Sequence, residues 1–298
     1  MDSSEQPPVA TWRYVVPACV TSLVGLCGVA AVAATVLMPT AAERLLFGGG
    51  LVLLAAVIDA VDGPVARALG ATSTFGRYLD AICDAIAFGF GAAACLVALA
   101  QDVPSIPADA LATVTETVAA GSPVGNPVQA PSASVQVLTT WLAAGLSFAH
   151  GLALAFRLAW SASATAARAG QPAPLAGGTI AAVATGWGYV AAVDAVGAAV
   201  ESSLLSWLFS VGYEILPLVV IGNVVAMLSA WPYPRPTRSM PVVWGVTLLA
   251  VLAIVVLEPA CVLLMPVGFV VAAFGLPLGI GLAVLLTRRP SPETEETP

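Results

Sequence analysis

The chain reads as an all-α protein, a polytopic bundle of membrane-spanning helices. Three observations predict this. Of its 298 residues 59% are hydrophobic, with a mean hydropathy of +0.96. Only 9% are charged. The apolar residues gather in runs of about 20, the length at which a helix crosses the hydrocarbon core of a bilayer. A soluble chain of this size would carry about 25% charged residues and would give its helices a wet face.

Eight such runs are expected, at roughly 15–37, 42–61, 77–100, 137–157, 174–199, 207–229, 241–257 and 261–286. The first closes at Met38-Pro39. Its apolar stretch exceeds the roughly 7–15 residues of a secretory signal core, and its leader holds Asp2 and Glu5 against a single Arg13, so it reads as a span. The second leads into Asp59 and the third leaves from Arg77. Residues 101–136, rich in Pro, Ser, Ala and Thr, read as a long outer loop with a short amphipathic piece at 108–120. Gly170-Gln171-Pro172 introduces the fifth span, Trp231-Pro232-Tyr233-Pro234 ends the sixth, and Glu258-Pro259 parts the seventh from the eighth. Residues 1–290 form one membrane domain, and the acidic tail 291–298 reads as disordered.

Arginine placement orients the bundle, because cytoplasmic loops retain positive charge. With the N-terminus inside, Arg13, Arg67, Arg77, Arg157, Arg168, Arg235, Arg238, Arg288 and Arg289 all fall on the cytoplasmic side and only Arg44 falls outside. Both termini are then cytoplasmic. A net charge of −7 with no lysine argues against nucleic-acid binding, which needs a dense basic face. The five cysteines form no CxxC and lie in or beside apolar runs, so they read as packing residues. His150, the only histidine, and Asn223 read as packing or interhelical hydrogen-bonding groups. Trp12, Trp141, Trp207, Trp231 and Trp244 read as an interfacial belt.

Against this background one stretch stands out. Asp59-Ala-Val-Asp62-Gly63-Pro-Val-Ala66-Arg67 is followed, eight residues later, by Gly76-Arg77-Tyr-Leu-Asp80-Ala-Ile-Cys-Asp84. Helix capping would explain one or two of these acids, not four in register. Spacings of three and four put each pair of carboxylates on one helix face, so two successive helices can aim four acids at one point at the cytoplasmic surface. Four negative charges at the edge of a bilayer call for cations. Oxygen donors without His or Cys select Mg²⁺ or Mn²⁺. Gly63, Ala66 and Gly76 leave room for a ligand to approach the backbone, and Arg67 and Arg77 supply positive charge. Such a site suits a diphosphate and displacement at phosphorus.

The stretch resembles the signature of the CDP-alcohol phosphatidyltransferases, Asp-x2-Asp-Gly-x2-Ala-Arg-x8-Gly-x3-Asp-x3-Asp, at every defined position. The resemblance implies a membrane enzyme, a homodimer, that takes a CDP-linked lipid donor, a small alcohol acceptor and two divalent ions. Asp59, Asp62 and Asp80 would be metal ligands. Asp84 would be both a ligand and the general base for the acceptor hydroxyl. Gly63, Ala66, Arg67 and Gly76 would line the nucleotide site, and Arg77 is a further candidate for the donor phosphates.

Past Asp84 the chain continues Ala85-Ile-Ala-Phe88-Gly89, which is similar to the continuation in phosphatidylserine synthases. Relatives that use glycerol phosphate place Lys after this aspartate, and those that use inositol phosphate place Arg. Pro17 to Gly28, Arg157-Leu-Ala, Gly170-Gln-Pro-Ala-Pro174 and Pro232-Tyr-Pro are also similar to that branch. L-serine is the acceptor this implies, with an ether-linked donor if the source is an archaeon. Arg157 and Arg168 are candidates for holding the acceptor's carboxylate or a donor phosphate, as against anchors of topology. Trp160-Ser-Ala stands where serine-using relatives have Arg-Phe-Asn, and Gln171 replaces an apolar residue, so glycerol phosphate, inositol phosphate or a lipid alcohol stays open as acceptor. An ion-coupled transporter would also use buried acids, but it predicts discontinuous helices and repeated halves, which the sequence lacks.

Overall fold

The computed structural model describes residues 12–102, 133–163, 171–195 and 203–229. Among them there is helix and no strand. Helix α1 spans Trp12–Leu37 and α2 spans Ala41–Ala68. The third span is composite: α3 over Thr74–Asp84, a π-helical turn over Ala85–Gly91, and α4 over Ala92–Asp102. Then come α5 over Ala133–Ser163, α6 over Ala173–Ala195 and α7 over Ser203–Leu228. Among the described residues, five helical stretches are long and apolar enough to cross a membrane: Trp12–Leu37, Ala41–Ala68, Thr74–Gln101, Thr139–Ser161 and Ala173–Ala192. This is the architecture of a multi-pass membrane protein. Six expected spans fall on described helices; those at 241–257 and 261–286, most of the expected loop at 101–136 and the tail at 291–298 lie outside the described residues.

Helix α2 opens on a capping box: the Thr40 hydroxyl accepts from the Glu43 N–H, and the Glu43 carboxylate accepts from the Thr40 N–H. It does not stop at residue 61 but runs through Pro64 to Ala68, so the whole first half of the acidic stretch is helical. Its end is a Schellman turn. Gly70 sits at φ +63°, the Gly70 N–H donates to the Arg67 carbonyl and the Ala71 N–H to the Ala66 carbonyl. Three residues later Ser73 caps α3, its hydroxyl accepting from the Gly76 N–H at 2.9 Å. This short connector turns the chain back so that α3 packs chiefly against α1.

The bundle is held by close backbone approach, as expected where lipid removes the usual hydrophobic drive between helices. Helix α2 lies between α1 and α6. A Cβ on Gly28 would stand 2.5 Å from the Ala87 Cα, and one on Gly188 would stand 2.5 Å from the Leu46 N. Small and branched residues fill the core around Val24, Val52, Phe88, Leu99, Leu154 and Ile180. The described cysteines, Cys19, Cys27, Cys83 and Cys95, are unpaired, as expected of packing residues.

Buried polar groups tie helices together. His150 Nε2 lies 2.9 Å from the Phe88 carbonyl. Gln171 donates from Nε2 to Asn223 Oδ1 at 3.0 Å, Asn223 donates from Nδ2 to the Ala176 carbonyl at 3.3 Å, and the Gln171 N–H donates to the Ala226 carbonyl at 3.1 Å. The interhelical role expected of His150 and Asn223 is therefore what these residues perform. Gln171, an oddity of its turn in the sequence, is fully buried and fastens the start of α6 to α7.

Candidate functional site

Asp59 and Asp62 lie within the last three turns of α2, and Asp80 and Asp84 on the last two turns of α3. The Schellman turn and the Ser73 cap bring these two faces together. Carboxylate oxygens of Asp59, Asp62 and Asp80 lie within 4.8 Å of one another, a grouping able to hold a metal ion. Asp84 lies one turn deeper and meets Asp59, while Asp62 meets Asp80. Asp62 and Asp84 are 8% and 7% exposed, a degree of burial that charged carboxylates accept only with strong partners.

One of those partners is plain. The Thr21 hydroxyl, from α1, donates to Asp62 Oδ2 at 2.9 Å in a buried contact. This fixes one oxygen of Asp62. The sequence did not single out Thr21, whose only signal is a hydroxyl in a mostly apolar span that also holds Ser22 and Thr35. By contrast, Asp84 Oδ1 is buried without a hydrogen-bond partner among the described residues. An oxygen-only donor set with an orphaned, buried carboxylate oxygen fits a hard divalent cation.

The remaining residues divide. Arg67 is exposed and folds back along α2, so that a Cβ on Gly63 would lie 3.2 Å from its Nη1; it also sets positive charge beside Asp62. Ala66 and Gly76 are half-buried, and Gly76 sits in the first turn of α3 under the Ser73 hydroxyl. Arg77 is exposed on α3, and Arg157 is half-buried near the end of α5. Arg168 lies outside the described residues.

A multi-pass helical membrane protein with a four-carboxylate cluster at the junction of two spans is the class that fold and site define. Residues 14–211 match the family model described as CDP-alcohol phosphatidyltransferase, and the chain belongs to that family. It is also similar, at 48% identity over 58 residues, to a phosphatidylinositol phosphate synthase of Mycobacteroides abscessus. That match covers 20% of this chain and 26% of the relative.

Proposed function

We propose that this protein transfers a phosphatidyl-type group from a CDP-linked lipid to an alcohol and releases CMP. The observation that carries the reading is the convergence of the four carboxylates, three of them with oxygens within 4.8 Å of one another. Asp59, Asp62, Asp80 and Asp84 would hold two divalent ions, Mg²⁺ or Mn²⁺. Bound there, such ions supply positive charge for the attacking and leaving oxygens at phosphorus. Gly63, Ala66 and Gly76 leave space for the nucleotide, and Arg67 and Arg77 offer guanidinium donors to its phosphates. An apolar groove of about 770 Å³, lined in part by Val29, Val36, Ile86, Phe90 and Val97, begins two residues beyond Asp84 and supports a donor with lipid chains.

In the reaction the acceptor hydroxyl oxygen forms a bond to the β-phosphorus. Its proton passes to the Asp84 carboxylate, and the bond from that phosphorus to the bridging oxygen breaks, with the electron pair leaving on CMP. Thr21 holds the Asp62 carboxylate in one orientation throughout, so its rotamer does not have to be ordered when ligand binds.

The acceptor we propose is L-serine. Ala85, directly after Asp84, brings no positive charge for an acceptor phosphate, and the run to Phe88-Gly89 is similar to serine-using relatives. Arg157 and Arg168 would then bind the serine carboxylate or a donor phosphate. The similarity to a phosphatidylinositol phosphate synthase favours inositol phosphate as a second reading. Membranes containing the protein, given CDP-diacylglycerol or its ether analogue, Mn²⁺ and labelled serine, inositol phosphate or glycerol phosphate in turn, decide between them. Lipid labelled by inositol phosphate but not by serine removes the serine reading. We further propose one domain over 1–290, eight spans with both termini cytoplasmic, and a cytoplasmic site, supported by the arginine distribution. The homodimer implied by family resemblance is open to cross-linking.

A further inference from the structure

His150 is completely buried in α5, and the Phe88 carbonyl can only accept, so Nε2 carries the proton and donates it at 2.9 Å. Phe88 belongs to the π-helical turn directly after Asp84. In an α-helix its carbonyl would receive the Ala92 N–H; here that N–H goes to the Gly89 carbonyl. The histidine thus occupies an acceptor that α-helical geometry would claim. Two more α5 residues follow the same turn. The Ser147 hydroxyl donates to the Ala93 carbonyl at 3.2 Å, and the missing side chain of Gly89 admits Leu154.

The turn matters because it sets phase. A π-turn adds a residue, rotating all that follows by roughly 100° relative to a continuous α-helix. With it, Asp80 and Asp84 face the acid cluster while Cys95, Leu96 and Leu99 of α4 face the core. Without it, one of the two faces has to turn away. Gly28 on α1 and Gly177 on α6 press against the Ala87 and Phe88 backbones of the turn itself, and beyond it Ala92, Cys95 and Leu99 are fully buried, which leaves α4 little freedom, so the carboxylates are the side that would move.

We propose that His150 is a positioning residue, holding the π-turn open and so keeping Asp84 turned onto Asp59. This rests on the reading of Asp84 as part of the metal and proton-transfer site.

The test uses the full chain in nanodiscs, Mn²⁺ binding followed by electron paramagnetic resonance, and hydrogen exchange over 85–92. His150→Leu removes the donor, His150→Asn carries an amide too short to reach the carbonyl, and His150→Gln restores a donor near the Nε2 position. The Leu and Asn variants should bind Mn²⁺ roughly tenfold or more weakly and exchange faster over 85–92, with Gln recovering most of both. Should His150→Leu fail to fold, Asn and Gln carry the comparison. In an Asp84→Asn background, His150→Asn should add less than about twofold, because both changes act through one carboxylate. Wild-type Mn²⁺ affinity in His150→Asn overturns the proposal, as does a full additional loss in the Asp84→Asn background. An Asp84→Asn variant that keeps transferase activity and Mn²⁺ affinity instead overturns the underlying reading, and the proposal with it. A damaged Asp84→Asn beside an unaffected His150→Asn overturns the positioning role alone.

Discussion

Two polar clusters among the described residues are built on opposite plans. Between α6 and α7, Gln171 and Asn223 meet as amides: each is neutral, each donates to an acceptor across the helix gap, and the pair fastens two helices. Between α2 and α3, four carboxylates are gathered with one hydroxyl, Thr21, in hydrogen bond to Asp62. Neutral groups that pair with each other stabilise the bundle on their own. Like charges that face each other cost energy unless something from outside joins them. The amide cluster is therefore structure, and the acid cluster is a place for a ligand.

The largest effects should come from the acids. Asp84→Asn removes the proton acceptor, and the transfer rate should fall by about 10²–10⁴ while the folded yield is unchanged or improved. The improvement is expected because one repelling charge has been removed from a buried site. Transfer in wild-type membranes should also stop with EDTA and return with Mn²⁺ or Mg²⁺. Full activity in Asp84→Asn, or indifference to EDTA, would break the comparison at its acid end.

Thr21→Val comes next. It keeps the shape of α1 but frees Asp62 to rotate, so Mn²⁺ affinity should drop roughly 10–100-fold. Thr21→Ser should restore most of it. Equal affinity in Thr21→Val and wild type, read by Mn²⁺ titration, would mean that the hydroxyl serves packing alone.

At the other cluster the signature should invert. Asn223→Leu strands the Gln171 amide nitrogen and should destabilise the bundle by about 1–2 kcal/mol, seen as an earlier thermal transition. Mn²⁺ affinity of the folded fraction should not change. A loss of affinity comparable to that in Thr21→Val would show that the two clusters are one system.

The sequence carried more of the site than of its supports. Charge in an apolar chain is conspicuous, so Asp59, Asp62, Asp80 and Asp84 could be located and paired by helical spacing alone, and runs of about 20 apolar residues revealed six of the described helices. The supports are quiet by nature. Thr21 looks like an ordinary polar residue until its partner 41 positions away is known, and Gln171, odd in its turn, shows its role only with a partner 52 positions away. The π-turn leaves no signature in Ala85–Gly91, because its cause lies in α1, α5 and α6, which press on it. Helix α2 overran its expected end because the apolar run stops at the acids, whereas the helix continues through Pro64 until the Schellman turn at Gly70 stops it.

The smallest expected effect separates ligand space from packing space at the motif's own glycine. Glycine inside a helix costs about 0.5–1 kcal/mol relative to alanine, so Gly63→Ala should stabilise α2 unless the new methyl collides. What it meets is Arg67 Nη1 at 3.2 Å, the far end of an exposed side chain that can swing aside. Contrast Gly28, where the obstacle is the Ala87 backbone. Gly63→Ala should thus melt at or slightly above the wild-type temperature while the KM for the CDP-linked donor rises a few-fold, by roughly 0.5–1 kcal/mol of lost binding. Stability and donor binding moving in opposite directions would locate the reason for this glycine in the ligand. A fall in both would return Gly63 to the packing of the helix, and with it Arg67, whose folded-back position depends on the same empty space.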